Sequence, residues 1–150
     1  MERNLNRLAF GATTHCLLGC GIGEVLGMVL AALFGWGMAT SLMLATVLAF
    51  VFGYLMTVLP LLQGGVAIRA ALALAFASDT VSITIMEIVD NIVVVLIPGA
   101  MNSGLTTFLF WGSLGISLVV AGVAAFPVNR WLISRGRGHA LVHQHHAHRT

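Results

Sequence analysis

Apolar residues run along this chain in four long stretches, separated by three short breaks rich in glycine and polar residues. The stretches cover about 8–34, 41–62, 70–97 and 108–133. Each reaches the roughly 20 helical residues needed to cross about 30 Å of hydrocarbon. The breaks carry loop chemistry: Gly35-Trp36-Gly37, Gln63-Gly64-Gly65, and Pro98-Gly99 followed by Asn102-Ser103-Gly104. Ser41 and the Thr106-Thr107 pair are placed to cap the helices that follow them. Pro60, Pro98 and Pro127 sit near span ends, where a kink or a stop costs little. The pattern predicts an all-α polytopic membrane protein of four transmembrane helices over 1–138, followed by a His-rich tail over 139–150. The third stretch is longer than a bilayer requires. It is read as one tilted helix, with a break near Ser78-Asp79-Thr80 as the alternative.

Charge sets the orientation. All seven basic residues are arginines, and with four spans each falls at the N-terminus, in the second connection or at the C-terminus. The positive-inside rule then predicts both termini in the cytoplasm. Trp36 and Trp111 would lie near the outer interface and Trp131 near the inner one. Hydrophobic residues make up 59% of the chain and charged residues 8%, against about 45–50% and about 25% in soluble domains. That composition argues against a soluble domain and against disorder, and no basic stripe suits a nucleic acid. The first stretch is too long for the apolar core of a signal peptide.

The chemistry sits inside the spans. Four of the five acids, Glu24, Asp79, Glu87 and Asp90, lie within apolar stretches, where an ionised residue costs about 2.5–3.5 kcal/mol at a helix centre. At 100° per residue, Asp79, Glu87 and Asp90 share one face of the third span, flanked by Thr80 and Asn91. In the first span Cys16, Cys20 and Glu24 form a line at every fourth position, with His15 beside it. Gly19, Gly23 and Gly27 form an adjoining line of small residues, across which another helix backbone can approach closely. Spans 1 and 3 run in the same direction, so His15 falls level with Asp79, and Glu24 with Glu87. The expectation is a polar seam between these two spans, with spans 2 and 4 carrying no buried polar groups.

Several functions fit such a seam. Soft thiolates beside an imidazole suit Cu(I) or Zn(II), which gives the leading expectation: binding or passage of a transition-metal ion, copper first. His15, Cys16, Cys20, Glu24, Asp79, Glu87 and Asp90 would be its ligands or proton acceptors. His139 and His143, one helical turn apart in a tail that also holds His145, His146 and His148, would form a secondary metal site. The second expectation is a proton-coupled transporter of cations or small molecules using Glu24. The third is a non-catalytic subunit or assembly factor, in which Asn91, Ser82 and Thr84 hydrogen-bond the acids as a structural network. Haem is disfavoured, since His15 is the only histidine within a span. No phosphate loop, nucleophile elbow or zinc-protease motif points to an enzyme. The partners expected are the bilayer and either further copies of the chain or another membrane subunit. The methionines are read as packing residues.

The string from His15 to Glu24, the string from Ser82 to Asn91, and Pro98-Gly99-Ala100-Met101 resemble a bacterial integral-membrane family catalogued as a domain of unknown function. Phe126-Pro127-Val128-Asn129-Arg130-Trp131-Leu132, with Arg135-Gly136-Arg137-Gly138-His139, is similar to its C-terminal signature. The resemblance implies four spans, a bacterial inner-membrane location and an association with copper proteins.

Overall fold

In a computed structural model, residues 2–135 are described, Glu2 by its backbone alone. The chain forms α1 (Glu2–Leu33), α2 (Met38–Gln63), α3 (Ile68–Leu96) and α4 (Phe108–Ser134), with a 3₁₀ turn at Ala100–Asn102. All four helices are long and apolar enough to cross a membrane. Only 28–39% of each helix's most apolar window is buried, so large side chains such as Phe10, Leu96 and Phe108 face outward. Such a surface would drive aggregation in water, whereas lipid solvates it.

Neighbouring helices run antiparallel. Gly27, Gly23 and Gly19 of α1 meet Ala45, Ala49 and Gly53 of α2 in descending register, and Thr13 of α1 meets Asn129 of α4. α1 and α3 therefore run parallel. Lipid supplies no hydrophobic drive between helices, so close van der Waals packing must hold them together, and small residues permit it. The α1–α2 contact shows this most clearly. A Cβ added at Gly27 would lie 2.5 Å from Ala45 Cα, and one at Gly19 would lie 2.8 Å from Gly53 Cα. Alanines fill much of the interior: Ala9, Ala31, Ala49, Ala71, Ala121 and Ala125 are all wholly buried. The turns use glycine where the backbone needs a positive φ, at Gly35 (+64°) and Gly99 (+81°).

Two expectations change in detail, at the starts of α1 and α2, while the third stretch is a single helix as expected. α1 starts at Glu2, ahead of the apolar stretch, so the polar residues before position 8 are helical as well. α2 starts at Met38 with Gly37 as its N-cap. Ser41 therefore lies one turn inside, and its hydroxyl donates back to the Gly37 carbonyl at 3.0 Å instead of capping. α3 is one unbroken helix through Asp79. The Thr80 hydroxyl donates to the Phe76 carbonyl at 2.6 Å, which keeps this polar side chain compatible with the helix. Thr107 does cap α4, accepting from the Phe110 amide at 3.3 Å.

Candidate functional site

The fourfold spacing on α1 and the single face of α3 bring their polar groups together in two layers. In the layer nearer the α1 N-terminus, Cys16 lies beside Asp79 and Ser82, and Asp79 accepts from Ser78 Oγ at 2.7 Å. His15 is half-buried and reaches Thr57 of α2 at 3.4 Å. In the other layer Glu24 faces both Glu87 and Asp90. Glu87 lies near Cys20 of α1 and Thr46 of α2, and Asp90 lies near Ser117 of α4. The three acids are 4%, 4% and 6% exposed. Glu24 Oε2, both Glu87 oxygens and Asp90 Oδ1 have no well-formed hydrogen bond. Buried polar atoms are normally satisfied, and these four oxygens make this layer the candidate site.

These oxygens border a cavity of about 360 Å³ that extends from the acids to the end of the bundle holding the first and third connections. Met28, Leu42, Val94, Phe110 and Leu114 supply much of its wall, and Trp36, Met101 and Ser103 stand at its rim. Among the described residues, no Arg, Lys or His lines it. Below the acids the interior closes. Cys20, Ile83 and Met86 are at most 1% exposed and pack with Cys16, Ala49, Ala121 and Ala125 as one apolar cluster.

The expected network is met only in part. Ser82 is buried next to Cys16. Asn91 borders the cavity, but its Nδ2 donates to the backbone carbonyl of Glu87 at 2.7 Å and not to a carboxylate. Thr84 is exposed and donates to the Thr80 carbonyl, because its position turns it off the acid face. Spans 2 and 4 are not free of buried polar groups: Thr57, Ser113, Ser117 and Asn129 are all buried. The signal for them was present in the sequence. Ser113, Ser117, Ala121, Ala125 and Asn129 repeat every fourth residue, as do Ala45, Ala49, Gly53 and Thr57, and each set makes one inward stripe of small residues. Among the described residues, no three His, Cys, Asp or Glu side chains converge closely enough to hold a metal ion. His139 and His143 lie outside the described residues.

The chain matches no curated protein and no solved structure. One family model matches residues 6–138, under a description that names neither metal nor substrate. The four helices apart from the first turn of α1, both polar layers and the cavity fall within those residues, and by that match the chain belongs to the family described as a domain of unknown function, DUF4396.

Proposed function

We propose that this membrane protein binds a cation in the cavity and exchanges it for protons carried by Glu24, Glu87 and Asp90. The supporting observation is the set of four carboxylate oxygens without a well-formed hydrogen bond on nearly fully buried residues, bordering a cavity without a basic side chain among the described residues. Three ionised acids at this depth would cost roughly 8–10 kcal/mol at about 2.5–3.5 kcal/mol each. That is comparable to the whole stability of a typical domain. The charge must therefore be cancelled, by protons when the cavity is empty and by a cation when it is filled. Occupancy by one displaces the other, which is the elementary step of proton-coupled transport.

Arg3, Arg7, Arg69, Arg130 and Arg135 gather at the end of the bundle opposite the cavity, where Arg130 Nε donates to Asn6 Oδ1 at 2.7 Å. Under the positive-inside rule that end is cytoplasmic and the cavity opens outward from the cell membrane. The transition-metal reading stands second. Its support is the placement of Cys20 against Glu87 and of Cys16 against Asp79, soft donors beside hard ones. The thiols do not border the cavity, which is why proton exchange stands first.

The test uses the full chain purified in detergent, with a pH-indicating dye in weak buffer. Zinc, magnesium and benzyltrimethylammonium chlorides are added in turn. At least one should release protons from the wild type and none from the Glu24→Gln/Glu87→Gln/Asp90→Asn variant. If that variant is merely less stable and the wild type releases nothing, the acids serve only the assembly of the bundle and the proposal fails.

A further inference from the structure

We infer, resting on the reading above, that the cavity's ligand is an amphipathic organic cation, a compact ammonium head joined to an apolar body, and not a bare metal ion. The argument begins with size. About 360 Å³ is the liquid volume of roughly a dozen waters at about 30 Å³ each, and it lies at the small end of the range for organic-ligand sites, roughly 300–1,000 Å³. A dehydrated metal ion would leave most of that space empty. It would also need several donors at about 2.0–2.6 Å, and no three ionisable donors among the described residues converge that way. Hard inorganic cations keep oxygen ligands around them, whereas most of this wall is hydrocarbon and thioether.

Polarity along the cavity supplies the orientation. Glu24, Glu87 and Asp90 form the deep end, while Met28, Val94, Phe110 and Leu114 flank the approach. Trp36, stacked on Phe34 with ring centroids 5.3 Å apart, stands at the rim. A ligand with a positive head and an apolar body meets this gradient head first. An ammonium entering past Trp36 also gains from the face of the indole. Three carboxylates present more negative charge than one head neutralises, so on binding a monocation the site gives up about one proton and keeps the rest, which leaves the buried site neutral. The titratable groups facing the head are Glu24 on α1 and Glu87 and Asp90 on α3, while the Cys20 thiol lies beside Glu87 but outside the cavity lining. From α2 and α4 only hydroxyls approach, those of Thr46, Ser113 and Ser117. Lower pH therefore weakens binding, because protons occupy the same oxygens.

The probe is benzyltrimethylammonium, which has no ionisable proton of its own, so any proton released comes from the protein. Its control is neopentylbenzene, the same shape with carbon replacing the charged nitrogen. With the full chain in maltoside detergent, calorimetry should show the ammonium binding with release of about one proton, and the neutral isostere binding at least about tenfold more weakly, a tenfold change being about 1.4 kcal/mol. Val94→Phe narrows the wall without touching an acid, and should weaken the ammonium by about tenfold or more. The isostere comparison decides the matter even if that variant folds poorly. Equal binding of ammonium and isostere overturns the inference, as does undiminished binding to a folded Val94→Phe protein. Proton release by zinc or magnesium without any by the ammonium also overturns it, while leaving cation exchange at the acids standing. If neither kind of cation releases protons, both readings fall together.

Discussion

Replacing Gly23 with alanine tests the packing that holds Glu24 in place. A Cβ at position 23 would run into the backbone of Leu48 and Ala49, and at Gly27 the corresponding carbon would stand 2.5 Å from Ala45 Cα. Carbon atoms rest about 3.5–4.0 Å apart, so α1 and α2 must separate by roughly 1 Å or more to admit one methyl group. No rotamer change relieves the contact, because the atoms struck are backbone. Overpacking costs about 1–3 kcal/mol, while alanine in place of glycine returns up to about 1 kcal/mol of helix propensity. Because the atoms struck are backbone, the upper part of that cost, about 2–3 kcal/mol, applies, and a net loss of about 1–2 kcal/mol follows. Gly11, on the same helix, has nothing within 4 Å of its added Cβ, so Gly11→Ala should keep the propensity gain and be neutral or stabilising. Gly53→Ala lies between the two, since the nearest atom is the flexible end of Ile83 at 2.6 Å. The assay is unfolding in detergent micelles by added dodecyl sulfate, followed by circular dichroism. If Gly23→Ala proves as stable as Gly11→Ala, the two helices are not held by close backbone contact and the argument fails.

Further outcomes follow from other contacts. Asn129 Nδ2 donates to Thr13 Oγ1 at 2.9 Å between buried residues of α4 and α1. A double-mutant cycle of Asn129→Ala and Thr13→Val should return a coupling of about 0.6–1.7 kcal/mol, and zero coupling would show the bond to be incidental. Cys16 and Cys20 are 3% and 1% exposed, so N-ethylmaleimide should label them only after unfolding, and rapid labelling of the native protein would contradict their burial. Elemental analysis of the wild type against Cys16→Ser/Cys20→Ser reports on the second functional reading: copper or zinc lost with the thiols would move that reading to first place. Ser103, at the cavity end, changed to cysteine in the thiol-free background should react with an impermeant maleimide on intact cells. Labelling only after lysis would reverse the proposed orientation.

Much of the fold was legible because a bilayer constrains sequence so strongly. Apolar runs of fixed length, glycine-bearing breaks and the confinement of arginine to alternate connections each follow from the cost of placing polar groups in lipid. The alignment of Glu24 with Glu87 was also legible, since two parallel helices share a rise per residue. The choice of neighbours was not. Gly19, Gly23 and Gly27 announce a close contact, but only packing decides that α2 fills it. His15 reads as a member of the thiol layer in sequence, whereas its contact with Thr57 depends on which way α2 leans. Ser41 carries good capping chemistry, yet the helix starts earlier because the backbone at Gly37 already adopts the extended N-cap conformation. The cavity itself was invisible, since its rim comes from turns far apart in the chain, around Trp36 and around Met101–Gly104, and no periodicity connects them.

Ile83 presses its terminal methyl toward the notch left by the missing side chain of Gly53, and with Met86 and Cys20 it fills the space beneath the acids. The cavity consequently ends, in this conformation, on that packed layer of side chains at its base. Under the proposed cation exchange, anything larger than a proton could pass that layer only by displacing Ile83, Met86 or Cys20. The bulk at position 83 and the gap at position 53 thus act as a matched plug and socket, and a side chain added at the socket would push the plug out without narrowing the mouth.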